Sequence, residues 1–142
     1  MPTNLYGPND NFHSLNSHVL PSLIRRIFEA KRNNDSFVTC WGTGNPLREF
    51  LHVDDLAEAS LFVLNHWYPD QDNSPCDDNG NKLFHLNVGT GKDIRIYDLA
   101  NLIAELFNYD GEIRWDQSKP DGTYRKLLDV SKINTLGLSL IH

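Results

Sequence analysis

Only two cysteines, Cys40 and Cys76, occur in 142 residues. That count excludes a disulfide-stapled scaffold and a cysteine-rich zinc site, and both are expected as reduced thiols. No apolar run approaches the ~18 residues needed to cross a bilayer, and no basic-then-apolar leader opens the chain. A soluble, cytoplasmic protein is the expectation. Positive charge is also scarce: 13 Lys and Arg stand against 19 Asp and Glu, a formal charge of -6. Nucleic acids and anionic membranes select basic surfaces through counterion release, so neither is expected as a partner, and an anionic ligand must be held by a local group of cations. No segment repeats at the period of about 20 to 50 residues that marks solenoids and propellers.

Phosphate-binding glycine loops are missing as well. Gly42-Thr43-Gly44 lacks a third glycine and no helix signal follows it directly; Gly91-Lys92 has Leu86 where a P-loop needs its first glycine and Asp93 where it needs Ser or Thr. Both read as turns. His13, His52, His66 and His85 have no metal-ligand spacing, and Asp70, Asp72, Asp77 and Asp78 lack the closing Glu of a calcium loop. No metal is expected.

What is present is ordinary globular composition, 39% hydrophobic and 23% charged, in a length that fits one domain over residues 1-142. Residues 1-16, rich in Pro, Asn and Gly, read as a loop. The spacing of Val19, Leu20, Leu23, Ile24, Ile27 and Phe28 predicts a helix over 18-31, capped by Ser17. Residues 37-41 and 48-53 read as strands around the turn Gly42 to Pro46. Asp54 reads as the cap of a helix carrying Leu56, Ala59, Val63 and Trp67. After an acidic loop over 68-82, residues 83-88 read as a strand. A helix with the stripe Leu99, Leu102, Ile103, Leu106 and Phe107 follows. Residues 112-115 read as a strand, 118-123 as a turn and 125-128 as extended, before a short helix capped by Asp129 and stopped at Gly137. The alternation predicts an α/β layer, with strands too short and few for a self-contained doubly wound sheet.

Four blocks carry a resemblance. Pro2-Thr3-Asn4-Leu5-Tyr6-Gly7-Pro8 is followed by Asp10-Asn11-Phe12 and Ser17-His18-Val19. Then come Trp41-Gly42-Thr43-Gly44-Asn45-Pro46-Leu47-Arg48-Glu49-Phe50 with His52-Val53-Asp54-Asp55, and Asn87-Val88-Gly89-Thr90-Gly91. Last is Lys119-Pro120-Asp121-Gly122-Thr123 with Arg125-Lys126-Leu127-Leu128-Asp129. In this order and spacing they resemble the C-terminal, substrate-binding lobe of the GDP-L-fucose synthases, which are extended short-chain dehydrogenases. The family's Rossmann part, with its Gly-rich loop, catalytic Cys and Tyr-x-x-x-Lys pair, has no counterpart here. Met1 aligns with an interior position, and truncation at both ends is the expectation. The first block alone fits any nucleotide-sugar epimerase or dehydratase of the superfamily, and a non-catalytic nucleotide-sugar binding module is the rival outside the enzymes.

The resemblance implies a homodimeric enzyme that epimerises C3 and C5 of GDP-4-keto-6-deoxy-D-mannose and reduces C4 with NADPH, yielding GDP-L-fucose. NADP would be held mainly by the missing part, with Pro2, Thr3, Asn4, Leu5 and His18 contributing here. Epimerisation beside a ketone needs an acid on the face opposite the base, and His18 matches the family's acid. Read from its position alone, a helix-cap histidine with only a structural hydrogen bond is the favoured reading of His18, and the resemblance reverses that order. Val19, Leu23, Arg26, Trp41, Arg48, Asp121 and Lys126 match substrate contacts. Arginine forks suit phosphate oxygens, an indole covers a guanine or sugar face, and a carboxylate accepts from hydroxyls. Each has a plainer reading as a surface cation, a core aromatic or a turn aspartate.

Overall fold

The computed structural model describes residues 1-14 and 16-138. In chain order its elements are β1 (Asn4–Tyr6), α1 (Val19–Asn33), β2 (Phe37–Trp41), β3 (Leu47–His52), α2 (Val53–His66), β4 (Asp93–Arg95), α3 (Ile96–Leu106), β5 (Glu112–Asp116), β6 (Arg125–Lys126) and α4 (Ser131–Asn134). The chain divides into two compact units, each assembled from separated stretches, with boundaries that fall inside β3 and β4. The fold is α/β, and the β1–β3, β2–β5 and β3–β6 pairs are parallel.

The first unit takes Met1–Gly7, Glu49–Asp93 and the residues from Leu127 on. Its core is Leu51, Ala59, Leu86, Val88 and Ile133, with Leu5, Leu56, Val63 and Trp67 packed against it. The predicted opening loop contains a strand, because β1 pairs in parallel with β3, Leu5 opposite Leu51. Conversely the strand predicted over 83-88 does not form. Its only bridge in this stretch is Val88 to Pro2, made by Val88 N–H to the Met1 carbonyl at 2.9 Å and Thr3 N–H to the Val88 carbonyl at 3.1 Å. The cap of α2 is His52, whose Nδ1 accepts from the Asp54 N–H at 3.3 Å; Asp54, predicted as the cap, sits in the first turn, where negative charge suits the helix dipole. Asp129 accepts from the Ser131 N–H at 2.8 Å ahead of α4, one residue before the cap position at Val130. In the acidic loop the Asp77 carboxylate accepts from the N–H groups of Asn79 and Asn81 and from the Asn81 amide, which holds it below the usual carboxylate range.

Glu49 is fully buried in this unit. Its carboxylate accepts from Gly91 N–H at 2.7 Å, Leu128 N–H at 3.0 Å and Thr90 Oγ1 at 3.4 Å. A buried carboxylate is tolerable only when donors replace its water, and here two backbone amides do so.

The second unit takes Pro8–Arg48 and Ile94–Lys126. Strand β2 alternates Val38 and Cys40 inward with Phe37, Thr39 and Trp41 outward, and pairs with β5 in full register. Helix α1 buries Leu20, Leu23, Ile27 and Ala30 and ends at Asn34, whose φ of 56° places it in the left-handed region that Asn accepts at a helix end. The predicted cap Ser17 lies one residue early; His18 holds the position and makes no side-chain capping bond. Helix α3 buries Ile96, Leu99, Ala100, Ile103 and Ala104, a full i, i+3, i+4 stripe. Leu102 and Leu106, assigned inward from the sequence, are 47% and 72% exposed. Small Ala100 and Ala104 take the inner face, and the larger leucines fall beside it. Among the described residues no helix is long and apolar enough to cross a membrane.

Candidate functional site

Side chains from α1, β2, β5 and the β2–β3 turn surround two adjoining hollows in the second unit. One, of about 250 Å³, is lined by Val19, Leu23, Arg26, Cys40, Trp41 and Trp115 among others. The other, of about 180 Å³, is lined by Val19, Trp41, Gly44, Arg48 and Asp121 among others. Val19, Trp41 and Ile96 belong to both.

The first hollow has an apolar floor and a cationic edge. Leu23 and Cys40 are buried at 4% and 2% exposure, and burial pushes the Cys40 thiol up against the weaker opposing effect of the Arg26 charge. A raised thiol is a poor nucleophile, so Cys40 packs and does not react. The half-buried Arg26 donates through Nη1 to the Thr39 carbonyl at 3.0 Å, and its guanidinium lies 5.3 Å from the Trp41 ring centroid. Lys119 Nζ stands 5.9 Å from the same ring. Trp41 keeps 56% of its surface open, leaving a cation-flanked indole face exposed.

The second hollow depends on the turn. Gly42 and Gly44 have φ of 79° and 76°, the left-handed region that favours glycine. A Cβ at Gly42 would stand 2.2 Å from Asp121 Oδ1, so the turn needs glycine twice over. Asp121 accepts from Thr43 N–H at 2.6 Å and Thr43 Oγ1 at 2.7 Å. These bonds, the backbone one first, hold its carboxyl below the usual range. Arg48 Nη1 donates to the Leu47 carbonyl at 2.7 Å, which commits one of five guanidinium donors. Lys126 pairs with Arg48 across the parallel β3–β6 ladder and is exposed; it lines neither hollow.

Thus Val19, Leu23, Arg26, Trp41, Arg48 and Asp121 come together, and Lys126 stands beside Arg48. His18 is exposed at the cap of α1 and lines neither hollow. Pro2, Thr3, Asn4 and Leu5 belong to the first unit. Thr3 Oγ1 and Asn4 Nδ2 both donate to the Glu49 carbonyl, at 3.3 and 2.8 Å, and Thr3 N–H donates to the Val88 carbonyl at 3.1 Å. These four residues carry no cation, and their bonds tie this stretch to Glu49 and Val88. Among the described residues no group of three side chains could hold a metal.

Sequence reasoning passed over Trp115, Thr43 and Glu49. Trp115 was legible in principle: it is the register partner of Cys40, and parallel partners share a face. Its Nε1 is buried without a hydrogen-bond partner. Thr43 and Glu49 carried no signal, because their partners are far along the chain.

Comparison with known proteins places this architecture in a class. The profile of the NAD dependent epimerase/dehydratase family matches residues 1-75, more than half of the chain, and the chain belongs to that family. Within it, the chain is 54% identical over 137 residues to the probable GDP-L-fucose synthase 1 of Oryza sativa subsp. japonica, covering 96% of this chain and 38% of that protein. It is 52% identical over 139 residues to the GDP-L-fucose synthase of Escherichia coli (strain K12), covering 96% and 41%. Among solved structures, the GDP-L-fucose synthetase from Naegleria fowleri bound to NADP superposes with a TM-score of 0.76 at 31% identity, over 95% of this chain and 38% of that one. The chain therefore spans about two fifths of the length of the curated relatives it matches.

Proposed function

We propose that this chain is the GDP-sugar-binding part of an enzyme that inverts C3 and C5 of GDP-4-keto-6-deoxy-D-mannose and reduces C4 to give GDP-L-fucose. The observation that carries the reading is the convergence of Val19, Leu23, Arg26, Trp41, Arg48 and Asp121 on two adjoining hollows in one unit. Relatives named for this reaction support it at 52% and 54% identity. In a chain of charge -6 the diphosphate must be met locally, and Arg26 and Arg48 each bring a planar fork to the rim. Trp41 covers the guanine or the sugar. His18 returns a proton to the carbon from the face opposite the base. NADPH would supply the hydride for C4, and Pro2, Thr3, Asn4 and Leu5 would hold its nicotinamide end.

The test is calorimetric titration of GDP and UDP into the full-length protein and its Arg48→Lys variant. Lysine keeps the charge and loses the fork, so GDP binding should weaken by about 1 to 2 kcal/mol with the melting temperature unchanged. Equal affinities for wild type and variant make Arg48 a bystander. Tighter binding of UDP than GDP overturns the choice of nucleotide.

A further inference from the structure

Asp121 meets the second hollow with both carboxylate oxygens already engaged by one residue. Thr43 donates from its N–H to Oδ1 at 2.6 Å and from its hydroxyl to Oδ2 at 2.7 Å. The direction of the second bond follows from the ionised carboxylate, which can only accept. Asn45 N–H donates to Thr43 Oγ1 at 3.2 Å, so the hydroxyl accepts on one side and donates to Asp121 on the other. The result is a chain from Asn45 N–H through the Thr43 hydroxyl to the carboxylate, carried by a turn that Gly42 lets close against Asp121. An ionised carboxylate has about four lone-pair sites and Thr43 takes two. Among the described residues the carboxylate's hydrogen-bond partner is Thr43, and Asp121 lines the second hollow. No ion pair joins it to Arg48 among the salt bridges of the described residues.

We infer that Thr43 is a positioning residue, which fixes Asp121 as an oriented acceptor for the hydroxyls of a ribose or hexose in the second hollow. The inference rests on the reading of this unit as a GDP-sugar site and adds to it the residue that sets hydroxyl recognition. It accounts for a threonine where an ordinary turn would accept any small polar residue: the hydroxyl makes one bond and relays another. A carboxylate gripped at two points loses little freedom on binding, and bonds to a charged acceptor are the strong kind.

The experiment measures the affinity of the full-length protein for GDP and for 2′,3′-dideoxy-GDP by calorimetry, with thermal unfolding alongside. Wild type should prefer GDP. Thr43→Val, nearly isosteric and lacking the hydroxyl, should weaken GDP by about tenfold and leave the dideoxy ligand within about twofold, which removes the discrimination. Thr43→Ser keeps the hydroxyl and should restore most of it. A turn that merely supports the fold would lower both affinities together with the melting temperature, and that outcome overturns the inference. So does discrimination that survives in Thr43→Val. Equal binding of the two ligands by wild type overturns this inference alone and leaves the GDP site standing; no binding of either overturns both.

Discussion

His18 tests the proposed chemistry at the scale of one side chain. It sits at the cap of α1 yet makes no capping bond there, so its ring does no work for the helix in this state. A general acid acts in the transition state and contributes little to ground-state binding. In the full-length protein, His18→Gln should lower kcat by on the order of 10²-fold while the affinity for GDP-sugar stays within about twofold. An unchanged kcat returns His18 to a surface histidine. Cys40 shows the opposite case, a chemically able group made inert by burial. The sequence placed this residue in a short strand read as buried throughout; the structure instead alternates, with Phe37, Thr39 and Trp41 exposed. The sequence could not reveal Glu49, because a buried carboxylate declares itself only through Gly91 and Leu128.

Elements were legible where periodicity is strong and local. Helix α1, strand β2 and strand β5 lie within a few residues of their sequence-based bounds. Strand β1 was not legible, because a three-residue strand next to Pro2 gains its identity from Phe50 to His52 and not from its own pattern. Large side chains misled at α3, where the inner face goes to alanines. The β2–β3 turn supplies the prediction at this scale. The Asp121 carboxyl is held below its ordinary value by Thr43, so the latch adds stability above the unfolded value near ~3.9 and loses it as pH falls through the lower, folded one. The Thr43 amide proton shift should therefore stay flat from neutral pH down to about 5 and titrate with a midpoint below that of a free aspartate. A midpoint at or above ~3.9 contradicts the latch.

For the whole molecule, the decisive fact is that a chain with no complete dinucleotide loop spans about two fifths of relatives that are named as synthases. Purified alone, these 142 residues should show no NADPH oxidation with the 4-keto sugar, measured by the loss of absorbance at the nicotinamide band. Turnover by the isolated chain would disprove the division of labour proposed here.

The buried Glu49 sets an order of events during synthesis. Its amide donors lie 42 and 79 residues further along, at Gly91 and Leu128. At translation speeds of about 5 to 20 residues per second, several seconds pass between the making of the carboxylate and the arrival of its last partner. The second unit can gather around β2 and β5 once β5 has emerged, whereas the first waits for the residues from Leu127 on. A ribosome paused shortly before Leu128 would therefore carry a nascent chain whose central charge is still unclaimed, and protease added at that moment should cut the stretch from Glu49 to Asp93 far more readily than in the released protein.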